Sequence, residues 1–265
     1  MSNDIAVAVA DLLVAAEHEG PALPVWLVDE RDGAAVAGLS AAQKAWVASL
    51  RFTGSARRLA LLPGADGGLG GALLGLGLGR SGDPAGPACL LAGLLPAQLP
   101  PGLFALDGRV EQPELAAIAW GLGAYRFRRY KTANNGEPPA QLKLPAGVDR
   151  ARVAAIVEAV WLARDLINTP ASDLGPEELE AATRALACQH GAEVTSIVGD
   201  DLLARGFTMI HAVGRASPRE PRLIDLRWSA KNGRADAPRV TLVGKGICFD
   251  TGGLDIKPSS GMLLM

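Results

Sequence analysis

Val243-Gly-Lys-Gly-Ile-Cys-Phe-Asp-Thr-Gly-Gly-Leu-Asp-Ile-Lys-Pro-Ser-Ser-Gly-Met-Leu-Leu-Met265 is the stretch on which the reading of this sequence turns. The apolar run Val240 to Val243 reads as a strand that delivers Lys245 into a glycine-bounded turn. Asp250 follows at the edge of a second apolar segment, and Lys257 stands directly before Pro258. Two lysines and an aspartate among small and apolar residues point to charges carried to a partly desolvated site, where such groups persist only when paired or metal-bound.

Working outward, Val153, Ile156, Val157, Val160, Ala163 and Ile167 recur at three- and four-residue steps, an amphipathic helix ended by Asn168-Thr169-Pro170. A second helix is expected from Pro176, with Glu177 and Glu178 complementing its positive end and Gly191 stopping it. Ala192 to Val198, Met209 to Val213 and Leu223 to Trp228 read as strands separated by turns and one short helix. Nearer the start, an alanine-rich helical stretch carries Asp4, Asp11 and Glu17. Pro24 to Val28 and Arg58 to Leu62 read as strands, and Ala41 to Ser49 and Leu115 to Gly123 as helices. Gly64 to Gly79, dominated by Gly, Ala and Leu, is expected to pack as a tight helix.

These elements give an α/β fold class: a smaller N-terminal α/β domain followed by the beginning of a mixed-sheet α/β domain. Asn-Asn-Gly-Glu-Pro-Pro at Asn134 to Pro139 breaks the periodicity, so the expected boundaries are 1–135, a linker at 136–147, and 148–265.

At net charge -2, the composition offers no broad basic surface for nucleic acid or anionic lipid. Cys89, Cys188 and Cys248 are odd in number and far apart, which argues against a disulfide framework and for a reducing, cytoplasmic compartment. No apolar run reaches membrane-spanning length. His18, His190 and His211 are solitary, without zinc-finger or His-x-x-x-His spacing. Gly75-Leu-Gly77-Leu-Gly79 lacks the complete dinucleotide pattern. Tyr125, Arg126, Arg128, Arg129, Tyr130 and Lys131 form a basic and aromatic cluster, read as salt-bridging at a domain or subunit boundary rather than as a nucleic-acid surface.

Gly244-Lys245-Gly246, Phe249-Asp250-Thr251-Gly252-Gly253, Lys257-Pro258 and Gly261-Met262 resemble, in order and spacing, the signature of the leucyl (cytosol) aminopeptidase family. Ala163-Arg-Asp-Leu-Ile-Asn-Thr-Pro170 with Asp173-Leu174, and Gly123-Ala-Tyr-Arg-Phe-Arg-Arg-Tyr-Lys131, match two further blocks. Residues before Gly121 match in general character only. The resemblance implies a dinuclear metallo-exopeptidase that removes N-terminal residues from peptides. Lys245 and Asp250 would be ligands of two divalent metals, manganese, zinc or magnesium, with Asp250 shared between them. Lys257 would be the catalytic lysine that stabilises the oxyanion, and Met265 would line the pocket for the first side chain; Lys245, Asp250 and Lys257 would also contact substrate.

A bridging carboxylate suits two cations, and a lysine amine coordinates only where neighbouring positive charge frees its lone pair. Taken as an isolated pair, Lys245 and Asp250 would read as ordinary surface residues, Lys257 as a solvated lysine and Met265 as a core methionine. Cys248 reads as a small buried hydrophobe.

Family members continue past the position of Met265. They have a further aspartate ligand three positions on, then an Asp-x-Glu pair and an arginine that holds bicarbonate. The 265 residues by themselves are therefore expected to be inactive, with an open sheet edge and with Lys245 protonated, paired to Asp250 or turned to solvent. The complete enzyme would be a cytoplasmic homohexamer acting on peptides. The alternative is a non-catalytic remnant serving as a binding or interaction module; DNA binding, also present in the family, would need the basic surface that the composition lacks.

Overall fold

The computed structural model describes residues 8–31, 36–78, 87–108, 110–131, 138–230, 233 and 236–263. It divides into two compact units, Met1–Ala163 and Arg164–Met265.

In the first unit, the elements in order are α1 (Val9–Leu12), β1 (Leu13–Val14), β2 (Leu23–Asp29), α2 (Ala41–Ser49), β3 (Leu59–Pro63) and β4 (Leu69–Gly77). A 3-10 helix (Ala88–Leu94), α3 (Leu95–Gln98), β5 (Leu103–Asp107), α4 (Pro113–Gly123), β6 (Gln141–Lys143) and the start of α5 (Arg150–Asn168) follow. Among the described residues, six strands form one sheet in the order β1-β6-β5-β2-β4-β3, parallel throughout except for the β3–β4 pair.

Helices cover both faces, and strand alternation distributes the side chains between them. Val25, Ala72 and Leu74 point into a core shared with Trp120, Ala116, Val153 and Val157, whereas Trp26, Val28 and Leu73 join Val47, Phe52 and Leu62 on the other side. Ser40 caps α2 as half of a capping box: its hydroxyl accepts from the Gln43 backbone N–H at 3.2 Å, and the Gln43 side chain accepts from the Ser40 N–H at 3.0 Å.

Three expectations are corrected here. Gly64 to Gly79 supplies strand β4 instead of a helix. With apolar residues buried on both faces, an interior strand carries no period-two signal, and its glycines serve close backbone approach. A Cβ on Gly75 would stand 2.1 Å from the Ser55 carbonyl oxygen. The N-terminal helical stretch ends after one turn at Leu12, because Leu13 and Val14 pair with Leu142 and Lys143; Asp4 lies outside the described residues. Within the segment expected as a linker, Gln141–Lys143 pairs with both β1 and β5, while the Asn134 break lies outside the described residues.

Trp120 fills the centre of the larger core. It is fully buried, its ring centroid lies 6.4 Å from that of Phe104, and its Nε1–H donates to the Ala140 carbonyl at 3.1 Å. Trp120→Phe should cost about 2 kcal/mol, since it leaves that carbonyl without its donor and opens a void. A urea midpoint unchanged from the parent would contradict this packing.

In the second unit, the end of α5 leads to α6 (Pro176–His190), β7 (Glu193–Val198), α7 (Asp201–Ala204), α8 (Thr208–Gly214), β8 (Arg222–Arg227) and α9 (Ser259–Met262). Pro176 opens α6, and Gly191 closes it at φ 68°, a left-handed conformation that glycine adopts without strain. The Glu178 side chain reaches back to accept from the Gly175 N–H at 2.7 Å, and that bond holds its carboxyl below the usual range. β7 and β8 pair antiparallel, from Glu193 with Arg227 to Val198 with Arg222.

Two further expectations fail in this unit. Met209 to Val213 is helical, within α8: a five-residue apolar run is compatible with either period, and here the backbone N–H groups of Ile210 and His211 return to the Phe207 carbonyl. Val240 to Val243 forms no strand. Val240, Leu242 and Val243 are 78%, 91% and 94% exposed, and a β-prone segment becomes a strand only when a neighbour takes its N–H and C=O groups.

Candidate active site

The signature segment lies along the second unit. A Cβ on Gly246 would come within 3.0 Å of Leu179, near the start of α6. Cys248 is half-buried, and that burial, reinforced by the negative charge of Glu178, pushes its thiol up. A thiol so raised stays protonated at neutral pH, in keeping with a packing role rather than a nucleophilic one.

Beyond it the chain turns back sharply. Gly252 and Gly253 have φ of 88° and 74°, and the Lys257 backbone N–H donates to the Thr251 carbonyl at 2.9 Å. This closure brings together two of the sequence-predicted residues. Asp250 Oδ2 accepts from Lys257 Nζ at 2.6 Å, and Oδ1 accepts from the Gly252 N–H at 2.8 Å. The Lys257 ammonium, then the Gly252 amide, then the charges of Lys257 and Lys245 hold the Asp250 carboxyl below its ordinary range, so it is ionised at neutral pH. Both side chains remain open to water, at 45% and 38% exposure, and solvent screens the pair.

Lys245 is exposed, so of its two expected dispositions the structure takes the one facing solvent, and Lys257 takes the carboxylate in its place. Met265 lies outside the described residues. The role of Gly252 was absent from the sequence reading, although its signal was there: a residue two after an aspartate is the usual donor of an Asx turn. A side chain at Gly252 would meet the Asp255 carbonyl oxygen at 2.3 Å and Lys257 Cγ at 3.1 Å. Gly252→Ala should therefore add about 1–2 kcal/mol of left-handed strain and drive Asp250 and Lys257 apart. Carboxyl carbon NMR across an acid titration reads this directly: Asp250 should move up toward the ordinary carboxylate range, and a carboxyl as depressed as in the parent would contradict the placement.

As a metal site, Asp250 is well suited. It is an ionised carboxylate with one oxygen anchored to the backbone and the other already holding a cationic group. Gly244 and Gly246 flank Lys245; a Cβ on Gly244 would meet nothing within 4 Å, so the backbone is open on that side. Among the described residues no group of three or more His, Cys, Asp or Glu could hold a metal by itself. Closed coordination of hard cations needs several oxygen donors, so Asp250 and Lys245 fit as part of a set rather than as the whole of one.

The remaining candidates are engaged elsewhere. His211 Nε2 lies 3.1 Å from Asp200 Oδ1. Tyr125 stacks edge-on against Trp161 at 5.9 Å, Phe127 against Tyr130 at 5.9 Å, and Arg126 donates to the Gly123 and Tyr125 carbonyls. An open apolar concavity lined by Leu186, Ala187, His190, Ala192, Leu226 and Trp228 sits toward the other end of α6 from Leu179. Among the described residues no helix is long and apolar enough to cross a membrane.

Comparison with known proteins is consistent along the chain. The model of the M17 aminopeptidase N-terminal domain matches residues 23–145, and that of the cytosol aminopeptidase family catalytic domain matches residues 161–265. The first reaches well before Gly121, where the sequence reading found only general likeness. A probable cytosol aminopeptidase of Leifsonia xyli is 34% identical over 269 residues, covering 96% of this chain and 51% of that protein. One of Rhodococcus jostii is 42% identical over 160 residues, 56% of this chain and 31% of that protein.

Among solved structures, the cytosol aminopeptidase of Coxiella burnetii superposes with a TM-score of 0.81 at 38% identity, covering 96% of this chain and 53% of that one. The bottromycin maturation enzyme BotP in complex with Mn superposes with a TM-score of 0.68 at 29% identity, covering 90% of this chain and 50% of that one. The chain thus spans about half the length of the relatives it matches nearly end to end.

Proposed function

Because this chain belongs to the cytosol aminopeptidase family, we propose that the protein carrying it is a leucyl-type dinuclear metallo-exopeptidase that removes N-terminal residues from peptides. The observation that carries the reading is the turn at Gly252, which sets an ionised Asp250 against Lys257 inside the family signature. Asp250 would be shared between two divalent ions, with Lys245 as ligand to one of them. Manganese is favoured by the likeness to BotP, and zinc or magnesium suits the same oxygen donors. When bound, the metals supply Lewis-acid polarisation of the scissile carbonyl and activation of water.

The residues of this chain then divide the remaining work. Asp250 keeps its negative charge through the neutral range, in keeping with a working range of neutral to alkaline pH, and Lys245 would add its amine to the donor set. Lys257 would place the positive charge of its ammonium where the carbonyl oxygen becomes an oxyanion. Met265 would line the pocket for a leucine-like first side chain, where a flexible thioether adapts to branched groups.

The whole protein would be a cytoplasmic homohexamer that also holds bicarbonate. The 265 residues alone, with Lys245 and Asp250 as their expected ligands, would bind metal weakly and not turn over. Hydrolysis of a leucyl amide by the full-length gene product tests the reading. Activity should vanish on chelation and return with manganese; full activity in chelator would overturn it, and a folded product with no activity under any metal would favour a binding module.

A further inference from the structure

We infer that Lys257 is the counter-ion of Asp250 while the site is without metal, so that metal uptake is an exchange of cations on one carboxylate oxygen and releases the lysine for catalysis. This inference rests on the metallopeptidase reading and adds a coupling to it. Both Asp250 oxygens are occupied: Oδ1 accepts from the Gly252 N–H at 2.8 Å, and Oδ2 accepts from Lys257 Nζ at 2.6 Å. A cation drawn to Oδ2 would meet the ammonium already there, and like charges so close on one oxygen repel, so the two positive groups would compete for it.

The loop is built to hold the pair. Lys257 N–H is bonded to the Thr251 carbonyl at 2.9 Å, and the contact of Gly252 with Asp255 and Lys257 leaves no space for a side chain. The other cation whose charge reaches Asp250, Lys245, faces solvent and does not take the carboxylate. A lysine fixed at its backbone and displaced at its tip stays tethered beside the carboxylate. The positive charge removed from Asp250 is thus the charge available to an oxyanion next to it. An empty site would hold its lysine in the wrong place for catalysis, and a filled one would have it free. Because the two cations compete for one group, each weakens the hold of the other by the same factor.

Manganese affinity of the full-length gene product, measured by competition with a fluorescent chelator, is the quantitative test. Lys257→Met should bind manganese about two- to fivefold more tightly than the parent, the range expected of a half-exposed ion pair. The gain should shrink at high salt. Lys257→Arg, which keeps a cation on the carboxylate, should bind like the parent.

A second reading separates direct contact from charge at a distance. In the metal-free parent, NMR of the lysine ammonium should show a hydrogen bond to the Asp250 carboxylate, and manganese or zinc should abolish it. Equal or weaker metal binding by Lys257→Met, or a metal-free ammonium with no bond to Asp250, would overturn the exchange and leave the metallopeptidase reading standing. A parent protein that binds no metal would overturn both.

Discussion

Lys257→Ala in the full-length gene product should lower kcat on a leucyl amide by about 10²- to 10³-fold, the usual loss when one preorganised group that stabilises an oxyanion is removed. Manganese should remain bound, and no more weakly than in the parent, because the lysine is not a ligand and its removal only relieves competition for Asp250. Asp250→Ala should do the opposite: it removes the shared ligand, empties at least one site, and abolishes activity through loss of metal. Metal analysis alongside kcat and KM distinguishes the two. Lys257→Ala with parental kcat, or Asp250→Ala with two metals retained, would mean that these residues do not hold the roles assigned to them. Asp250→Asn keeps the shape and the Gly252 hydrogen bond while removing the charge, so a loss of metal there isolates the carboxylate itself.

The second large effect is on stability and lies away from the site. Glu180, on α6, is 8% exposed and surrounded by donors from the paired strands β7 and β8 and its own helix. Oε1 accepts from Ser196 Oγ at 2.7 Å and Arg184 Nε at 2.8 Å, and Oε2 accepts from Arg222 Nη1 at 2.6 Å. The Ser196 hydroxyl, with Arg222 and Arg184, outweighs the cost of burial and brings the Glu180 carboxyl down to about 2. A carboxyl lowered on folding contributes stability that is complete above its unfolded value, near the ordinary 4.5, and is lost as pH falls through the folded value.

Glu180→Ala should therefore cost on the order of 3 kcal/mol at neutral pH, because it leaves Arg222, 12% exposed and with its buried Nε already lacking a partner among the described residues, without its counter-charge. Hydrogen exchange of the β7 and β8 amides should accelerate accordingly. The parent should lose protection between about pH 4.5 and pH 2 and the variant much less over the same interval. A variant as acid-sensitive as the parent would place the linkage elsewhere.

Elements fixed by local chemistry were legible before any coordinates. Pro176 at the start of α6, Glu177 and Glu178 in its first turn, and Gly191 at its end each act within a few residues. What required the fold was context. β4 is a strand because β2 and β3 lie on either side of it, and Val240 to Val243 is unpaired because no described strand lies beside it. β6 belongs to the first sheet through partners more than a hundred residues away in β1, a pairing that local pattern cannot encode. At the site, residue types and order singled out Lys245, Asp250 and Lys257 as candidates. Their pairing depends on the reversal at Gly252, and nothing in the spacing distinguished Lys257 from Lys245 as the partner of the carboxylate.

The most direct measurement on the central claim is anomalous diffraction from crystals of the full-length gene product grown with manganese. Two peaks about 3.5–4 Å apart, with an Asp250 oxygen on each and Lys257 withdrawn from the carboxylate, are the predicted result. Asp250 still bonded to Lys257, with manganese bound elsewhere or not at all, would contradict it.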